Sequence, residues 1–185
     1  MAEAIHALFN LERKKIFPNE LEHFREELKR KGQSLVTVNG SFDLLHSGHL
    51  QLLLEAAMQG DVLLVALNTD ASIRRYKSPD RPILSLSNRL QMIAALECVD
   101  YVTWFDEDDP CLLLSVLQPK VHVNGSEYGQ ECIEAETVRA YGGRIHVVER
   151  VPGLATSEII KKIHSLCDSS ALSTAPNTDN AFPST

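Results

Sequence analysis

The sequence has no Cys-x-x-Cys pair: its four cysteines, Cys98, Cys111, Cys132 and Cys167, stand far apart. That spacing points to neither a zinc module nor a dithiol redox pair, and reduced thiols are expected. Positive charge is also scarce, with 18 Lys and Arg against 25 Asp and Glu, a net charge of -7 and a pI near 5.5. Broad binding to nucleic acid or to an anionic membrane surface needs a cationic footprint, so neither is expected as a partner, and any polyanion must be met locally. Long apolar runs are missing as well. The longest clean one, Val62 to Leu67, cannot span a bilayer, and no basic stretch followed by an apolar one opens the chain. A cytoplasmic location is expected. With only 9 Gly and 8 Pro and with 44% hydrophobic residues, the 185 residues suffice for one good core and are too few for two ordinary domains.

The pattern of what is present divides the chain in three: residues 1–34 as an extension with an opening helix, 35–167 as the main domain, and 168–185 as a tail. The opening helix is expected over Pro18 to Lys31, with Leu21, Phe24 and Leu28 on one stripe, acids early, bases late and Gly32 after it. The tail, rich in Ser, Thr, Ala, Asn and Pro, has little to bury and is expected to be disordered. Between them, strands are expected near Leu35–Val38, Val62–Leu67, Tyr101–Thr103, Val121–Val123 and Ile145–Val148. Stretches of helix length and composition alternate with them: Leu50–Gln59, Asn88–Leu96, Cys111–Leu117 and Cys132–Tyr141. Alternation of this kind predicts an α/β fold, a five-stranded parallel sheet with helices on both faces. Sheets of that type bind ligands outside the C-terminal ends of their strands.

One stretch falls where the first strand ends and the next helix begins: Asn39-Gly40-Ser41-Phe42-Asp43-Leu44-Leu45-His46-Ser47-Gly48-His49. A strand-loop-helix junction offers free backbone N–H groups and the positive end of the helix dipole to an anion, and Gly40 and Gly48 let ligand and backbone approach closely. A helix starting near Ser47 lets His46 and His49 face the same bound group. Nucleotidyl transfer accumulates negative charge on phosphate oxygens, which imidazole donors offset. A phosphate nucleophile with a second pKa near about 6 needs no general base, so the histidines are expected to donate rather than abstract. The alternatives for an isolated His-x-x-His are helix-start residues bonded to backbone or a pair of metal ligands. No third His or Cys lies close by, and no resident metal site is expected.

His46-Ser47-Gly48-His49 after a strand resembles the H-x-G-H signature of the cytidylyltransferase-like nucleotidyltransferase family. Further segments match that family in order: Asn68-Thr69-Asp70-Ala71-Ser72, the basic run ending at Lys77, Arg81-Pro82, Asn88-Arg89, and Ala94-Ala95-Leu96-Glu97-Cys98-Val99-Asp100. The resemblance spans about Leu35 to Ile163 and is greatest to the adenylyltransferase domains of bacterial ADP-heptose synthases. It implies a Rossmann-like fold, direct transfer assisted by Mg²⁺ with no covalent intermediate, ATP as substrate, and a homodimer. By position it implies His46, His49 and Lys77 as catalytic residues. The nucleotide-binding set it implies is Asn39, Gly40, Ser41, Phe42, Asp43, Gly48, Asn124, Gly125, Glu127, Tyr128, Thr156 and Ser157.

Departures from the family pattern fall at Asn124 and Glu127, where relatives carry K-G-x-D-Y, at Ala155, which replaces a small hydroxyl residue, and at Ser41, often Cys. Physically, Arg74, Arg75, Lys77 and Arg81 put four of 18 bases into a short segment that Pro79 and Pro82 turn partly into a loop, forming either a polyanion clamp or a solvated helix face. Asp70 and Thr156 serve equally well as helix N-caps. Asp106-Glu107-Asp108-Asp109 before Pro110 is read as a solvated helix start, and Trp104 and Phe105 as packing residues. His6, His23, His122, His146 and His164 have no motif around them. The expected activity is transfer of AMP from ATP to a sugar 1-phosphate. A cytidylyltransferase acting on glycerol 3-phosphate or a phospho-alcohol, and a nucleotide-binding module without catalysis, are the alternatives.

Overall fold

The computed structural model describes residues 11–149, 153 and 155–168. The expected tail therefore falls outside the described residues except for Asp168, as does His6. Five parallel strands form one sheet: β1 (Leu35–Gly40), β2 (Val62–Asn68), β3 (Tyr101–Phe105), β4 (Val121–Gly125) and β5 (Arg144–Val148), in the order β3-β2-β1-β4-β5. Each expected strand is present, extended by up to two residues. Helix α1 (Leu21–Lys31) precedes β1, the connections carry α2 (Ser47–Ala57), α3 (Asp70–Tyr76), α4 (Leu86–Ala94), α5 (Cys111–Leu117) and α6 (Ala135–Ala140), and α7 (Thr156–Asp168) follows β5.

Strand alternation sorts the core onto two faces. Leu63, Val65 and Leu67 of β2 point with Val36 and Val38 toward Leu53 and Ala56 of α2 and Leu90 and Ile93 of α4. Val62, Leu64 and Ala66 point the other way, toward Leu21, Phe24 and Leu28 of α1 and Leu113 and Leu117 of α5. The β2 strand, buried along its whole length, is a continuous apolar run because both of its faces are covered.

The opening helix differs slightly from expectation: Pro18–Glu20 is a 3₁₀ turn, and the α-helix starts at Leu21. Gly32, at φ 66°, closes α1 in the left-handed conformation that glycine adopts freely. The α2 helix starts at Ser47, as the facing of the two histidines requires, three residues before the apolar stretch from Leu50, and His49 lies in its first turn. Only Ala135–Ala140 of the Cys132–Tyr141 stretch is helical. The α3 helix is not legible in the apolar pattern, since Ser72 and Ile73 are its buried residues. Trp104 and Phe105 pack as expected, Trp104 edge-on to Phe17 at 5.3 Å between centroids and Phe105 in the core. No helix among the described residues is long and apolar enough to cross a membrane.

Between β1 and β4 the chain reverses its direction of growth across the sheet, leaving a crevice at the strand C-termini, where open α/β sheets bind ligands. Just below it, His122 of β4, one of the histidines without a motif, is fully buried and its Nδ1 meets the Thr37 hydroxyl of β1 at 2.8 Å. Burial lowers its pKa to about 4, against a weaker opposing contribution from Asn124. The unfolded chain protonates this histidine near about 6.5 and the folded one does not, so its contribution to stability is intact above that pH and lost as the pH falls toward 4. Thermal melts between pH 7.5 and 4.5 are expected to show this acid destabilisation, worth on the order of 3 kcal/mol at full loss, and His122→Asn is expected to flatten the pH dependence.

Candidate active site

The β1–α2 junction is built around the two histidines. His46 is the N-cap of α2: its backbone is extended, and its Nδ1 accepts the His49 backbone N–H at 3.4 Å. Because Nδ1 accepts, the proton of the neutral ring lies on Nε2, which is then a donor. The His46 and His49 rings stack with centroids 3.8 Å apart and planes 19° from parallel, and the Phe42 ring lies 5.2 Å from that of His49. A Cβ at Gly40 would lie 3.2 Å from the Phe42 ring, so a side chain there would press on that ring. Burial, then the charges of His46 and Lys77, lower the His49 pKa to about 4. His49 is therefore neutral at pH 7, and its buried Nδ1 has no hydrogen-bond partner. An unsatisfied buried N–H is costly, so the His49 proton also favours Nε2.

Both histidines line a cavity of about 480 Å³ at the C-terminal ends of β1, β4 and β5. Asn39, Gly40, Ser41, Phe42 and Gly48 line it from the β1 side, Asn124, Gly125, Glu127 and Tyr128 from β4, and Thr156 and Ser157 from the start of α7. The N-termini of α2 and α7 thus converge on one space, a doubled arrangement of backbone N–H groups and dipoles favouring an anion. Lys77 and Arg81 are the cations of its wall, and Glu127 and Glu149 its carboxylates. Glu149 was not among the expected site residues, and Arg81 was expected only as a member of the basic run. Glu149 follows directly after β5, the one sequence feature that could have located it. Asn124 is buried and its amide donates to the Cys132 sulfur at 3.1 Å.

Asp43, expected to bind nucleotide, does not line the cavity. Its buried carboxylate accepts the backbone N–H of Ile83 at 2.9 Å and of Leu84 at 2.8 Å, and Arg81 at 2.7 Å. Burial alone would raise its pKa, but these donors outweigh it and hold the carboxyl below its ordinary range. Asp43 thereby binds the loop after α3 to the histidine loop. Arg89 completes the seam. Fully buried, it donates to Leu84 O at 3.0 Å, Ser41 O at 2.6 Å, Asn68 O at 2.8 Å and Asp70 Oδ1 at 2.7 Å.

The basic run is therefore not one clamp. Arg75 turns away to Asp108 at 2.8 Å and to Asp106, while Lys77 reaches the cavity. Asp70 is not an N-cap: Thr69 is, its hydroxyl accepting the Ser72 N–H at 3.1 Å, and the Asp70 carboxylate belongs to Arg89. The acidic run lies just before α5, exposed from Asp106 to Asp108, with Asp109 Oδ1 accepting the N–H of Cys111 at 2.9 Å at the helix start and Asp106 paired to Thr69 and Arg75. Thr156 is the first residue of its helix rather than the residue before it, and its hydroxyl donates to Leu44 O at 3.4 Å.

A five-stranded parallel sheet whose switch point meets an H-x-G-H helix start defines a nucleotidyltransferase-type α/β domain. The cytidylyltransferase-like family model matches residues 37–178, and the chain belongs to that family. Among similar curated proteins, the bifunctional protein HldE of Geotalea uraniireducens is 47% identical over 138 residues, 74% of this chain and 28% of that protein. HldE of Ectopseudomonas mendocina is 43% identical over 141 residues, 76% of this chain and 30% of that protein. The chain thus spans under a third of the length of these relatives. A lipopolysaccharide core biosynthesis protein from Thermoplasma volcanium superposes with a TM-score of 0.53 at 29% identity, covering 65% of this chain and 98% of that one. Pantoate-beta-alanine ligase from Francisella tularensis, with a TM-score of 0.53 at 17% identity over 87% and 82% of the two chains, shares the fold.

Arg89→Met leaves the Asp70 carboxylate and three carbonyls without their donor, and is expected to cost about 3–5 kcal/mol in urea unfolding. Arg89→Lys is expected to recover little of this, because one ammonium lacks the planar fork that reaches four acceptors. Imidazole NMR is expected to place the His49 titration near pH 4 in the free protein. Saturation with pyrophosphate is expected to raise it by roughly one unit or more, since negative charge favours the imidazolium.

Proposed function

We propose that the chain transfers AMP from ATP to a sugar 1-phosphate, foremost D-glycero-β-D-manno-heptose 1-phosphate, giving an ADP-sugar and pyrophosphate. The observation that carries this reading is the convergence of two helix N-termini, His46, His49 and Lys77 on one cavity. Its resemblance to ADP-heptose synthases and its similarity to HldE proteins favour ATP and a heptose phosphate. The neighbour named for lipopolysaccharide core biosynthesis favours a sugar substrate.

In this reading an oxygen of the sugar phosphate attacks the α-phosphorus of ATP. The new P–O bond forms as the bond to the leaving oxygen breaks, and pyrophosphate departs with that electron pair. The attacking phosphate is largely ionised at neutral pH, so the neutral His49 has no proton to take. His46 and His49 instead donate from Nε2 to oxygens on which charge develops, a preorganised stabilisation in a partly desolvated site. Lys77 and the backbone N–H groups at the starts of α2 and α7 hold the remaining phosphate oxygens. The set Asn39 to Phe42, Gly48, Asn124, Gly125, Glu127, Tyr128, Thr156 and Ser157 forms the walls against nucleotide and sugar.

Mg²⁺ fits this cavity as a cation carried largely by phosphate and water, which needs only one or two protein carboxylates. Glu127 and Glu149 are the carboxylates on the cavity wall, and no three His, Cys, Asp or Glu among the described residues are grouped to hold a metal by themselves. When bound, the ion would neutralise charge on the departing pyrophosphate.

Pyrophosphate release is to be measured with ATP and CTP, each against heptose 1-phosphate and glycerol 3-phosphate. Turnover is expected with ATP and heptose 1-phosphate, lowered by about 10²-fold or more in His46→Ala and His49→Ala. Preference for CTP with glycerol 3-phosphate would replace this reading with a cytidylyltransferase. Nucleotide binding without turnover for any pair would leave a binding module.

A further inference from the structure

Of the two cations on the cavity wall, Arg81 is committed to Asp43 at 2.7 Å. Among the described residues that leaves Lys77 as the wall cation with no carboxylate partner. It stands at the C-cap of α3, at the root of a four-carbon stem carrying about 2 kcal/mol of rotamer entropy. Left to itself, such an ammonium would spend much of its time in solvent. Although the residue as a whole is exposed, partial desolvation of the ammonium, followed by the nearby charge of Arg81, holds its pKa below the ordinary lysine value, and an acceptor on the wall would keep the head there.

That acceptor is Ser41. Lys77 Nζ donates to Ser41 Oγ at 2.9 Å, while the Tyr76 ring lies 5.5 Å from the same ammonium. Ser41 is itself anchored, because its carbonyl accepts Arg89 Nη1 at 2.6 Å and Arg89 is fully buried. The hydroxyl thus stands on a backbone segment held by Arg89, and it joins Lys77 at the end of α3 to the loop carrying His46. We infer that Ser41 is the positioning residue for Lys77, orienting the ammonium toward the phosphates of a bound polyphosphate rather than serving chiefly as a nucleotide contact. A thiol at this position accepts hydrogen bonds weakly, and an alanine not at all. The inference rests on the cavity being a polyphosphate site and not on which acceptor the enzyme uses.

The test is a double-mutant cycle on the full chain, with inorganic tripolyphosphate binding measured by calorimetry at pH 7.5. Ser41→Ala is expected to weaken binding by about 10-fold, Ser41→Thr to stay within about 2-fold of wild type, and Ser41→Ala in a Lys77→Met background to add less than about 2-fold. With ATP as substrate, Ser41→Ala is expected to raise KM more than it lowers kcat, because its effect passes through ground-state binding. An equal cost of Ser41→Ala with and without Lys77 would overturn the positioning role, as would an unchanged affinity in Ser41→Ala. Absence of tripolyphosphate binding in wild type, or no effect of Lys77→Met, would overturn the polyphosphate site as well.

Discussion

One guanidinium without solvent contact holds the active-site end of this molecule together. Arg89 projects from α4 and binds the carbonyls of Ser41, Asn68 and Leu84 and the carboxylate of Asp70. Those acceptors belong to the β1–α2 loop, the end of β2, the loop before α4 and the start of α3. No shorter or non-planar donor could meet four acceptors spread in this way. A buried charge of this kind adds little net stability, but removing one partner leaves others unsatisfied, so the segments are obliged to keep their mutual geometry. Asp43 acts similarly from the other side of the loop, and the two residues make the loops around the cavity a framework rather than separate flexible arms.

That framework sets an uneven electrostatic field over the cavity. Two helix starts, Lys77 and Arg81 favour phosphate oxygens, while Glu127 and Glu149 add carboxylates to the same wall from the segments after β4 and β5. His49 is neutral because it is buried beside His46 and Lys77, and its stacking with His46 presents a pair of rings in fixed orientation. A donor that is already in place and uncharged in the resting state, as His49 is, avoids the desolvation cost of burying a further cation, and a polyanion strengthens it by raising its proton affinity.

Much of the site was legible because its residues are close in sequence. Gly40 to His49 lies at one strand-helix junction, so chain order alone brings those residues together. Asn124, Gly125, Glu127, Tyr128, Thr156 and Ser157 reach the cavity because parallel strands deliver their C-terminal ends to one edge. The exceptions are residues whose partners are remote. The carboxylate of Asp43 bonds forty residues ahead to Ile83 and Leu84, and Arg75 is drawn from the cavity by the acidic run beyond β3. No local pattern distinguishes a carboxylate that faces ligand from one that secures a loop. The short α3 helix escaped for a related reason, since a seven-residue helix in which Asp70, Ser72, Arg74 and Arg75 are polar has too few apolar positions to show a period.

By itself, then, the sequence determined the alternation of strands and helices, the covered faces of the sheet, and the placing of two histidines at an anion-binding helix start. These follow from periodicity, capping and local backbone geometry, which act over a few residues. Tertiary structure alone decided which charges remain available: Lys77 faces the cavity while Arg75 is neutralised elsewhere, Arg81 is shared with Asp43, and His49 loses its charge. Side-chain pairing and desolvation depend on distances between segments far apart in the chain, and those distances exist only once the sheet has assembled.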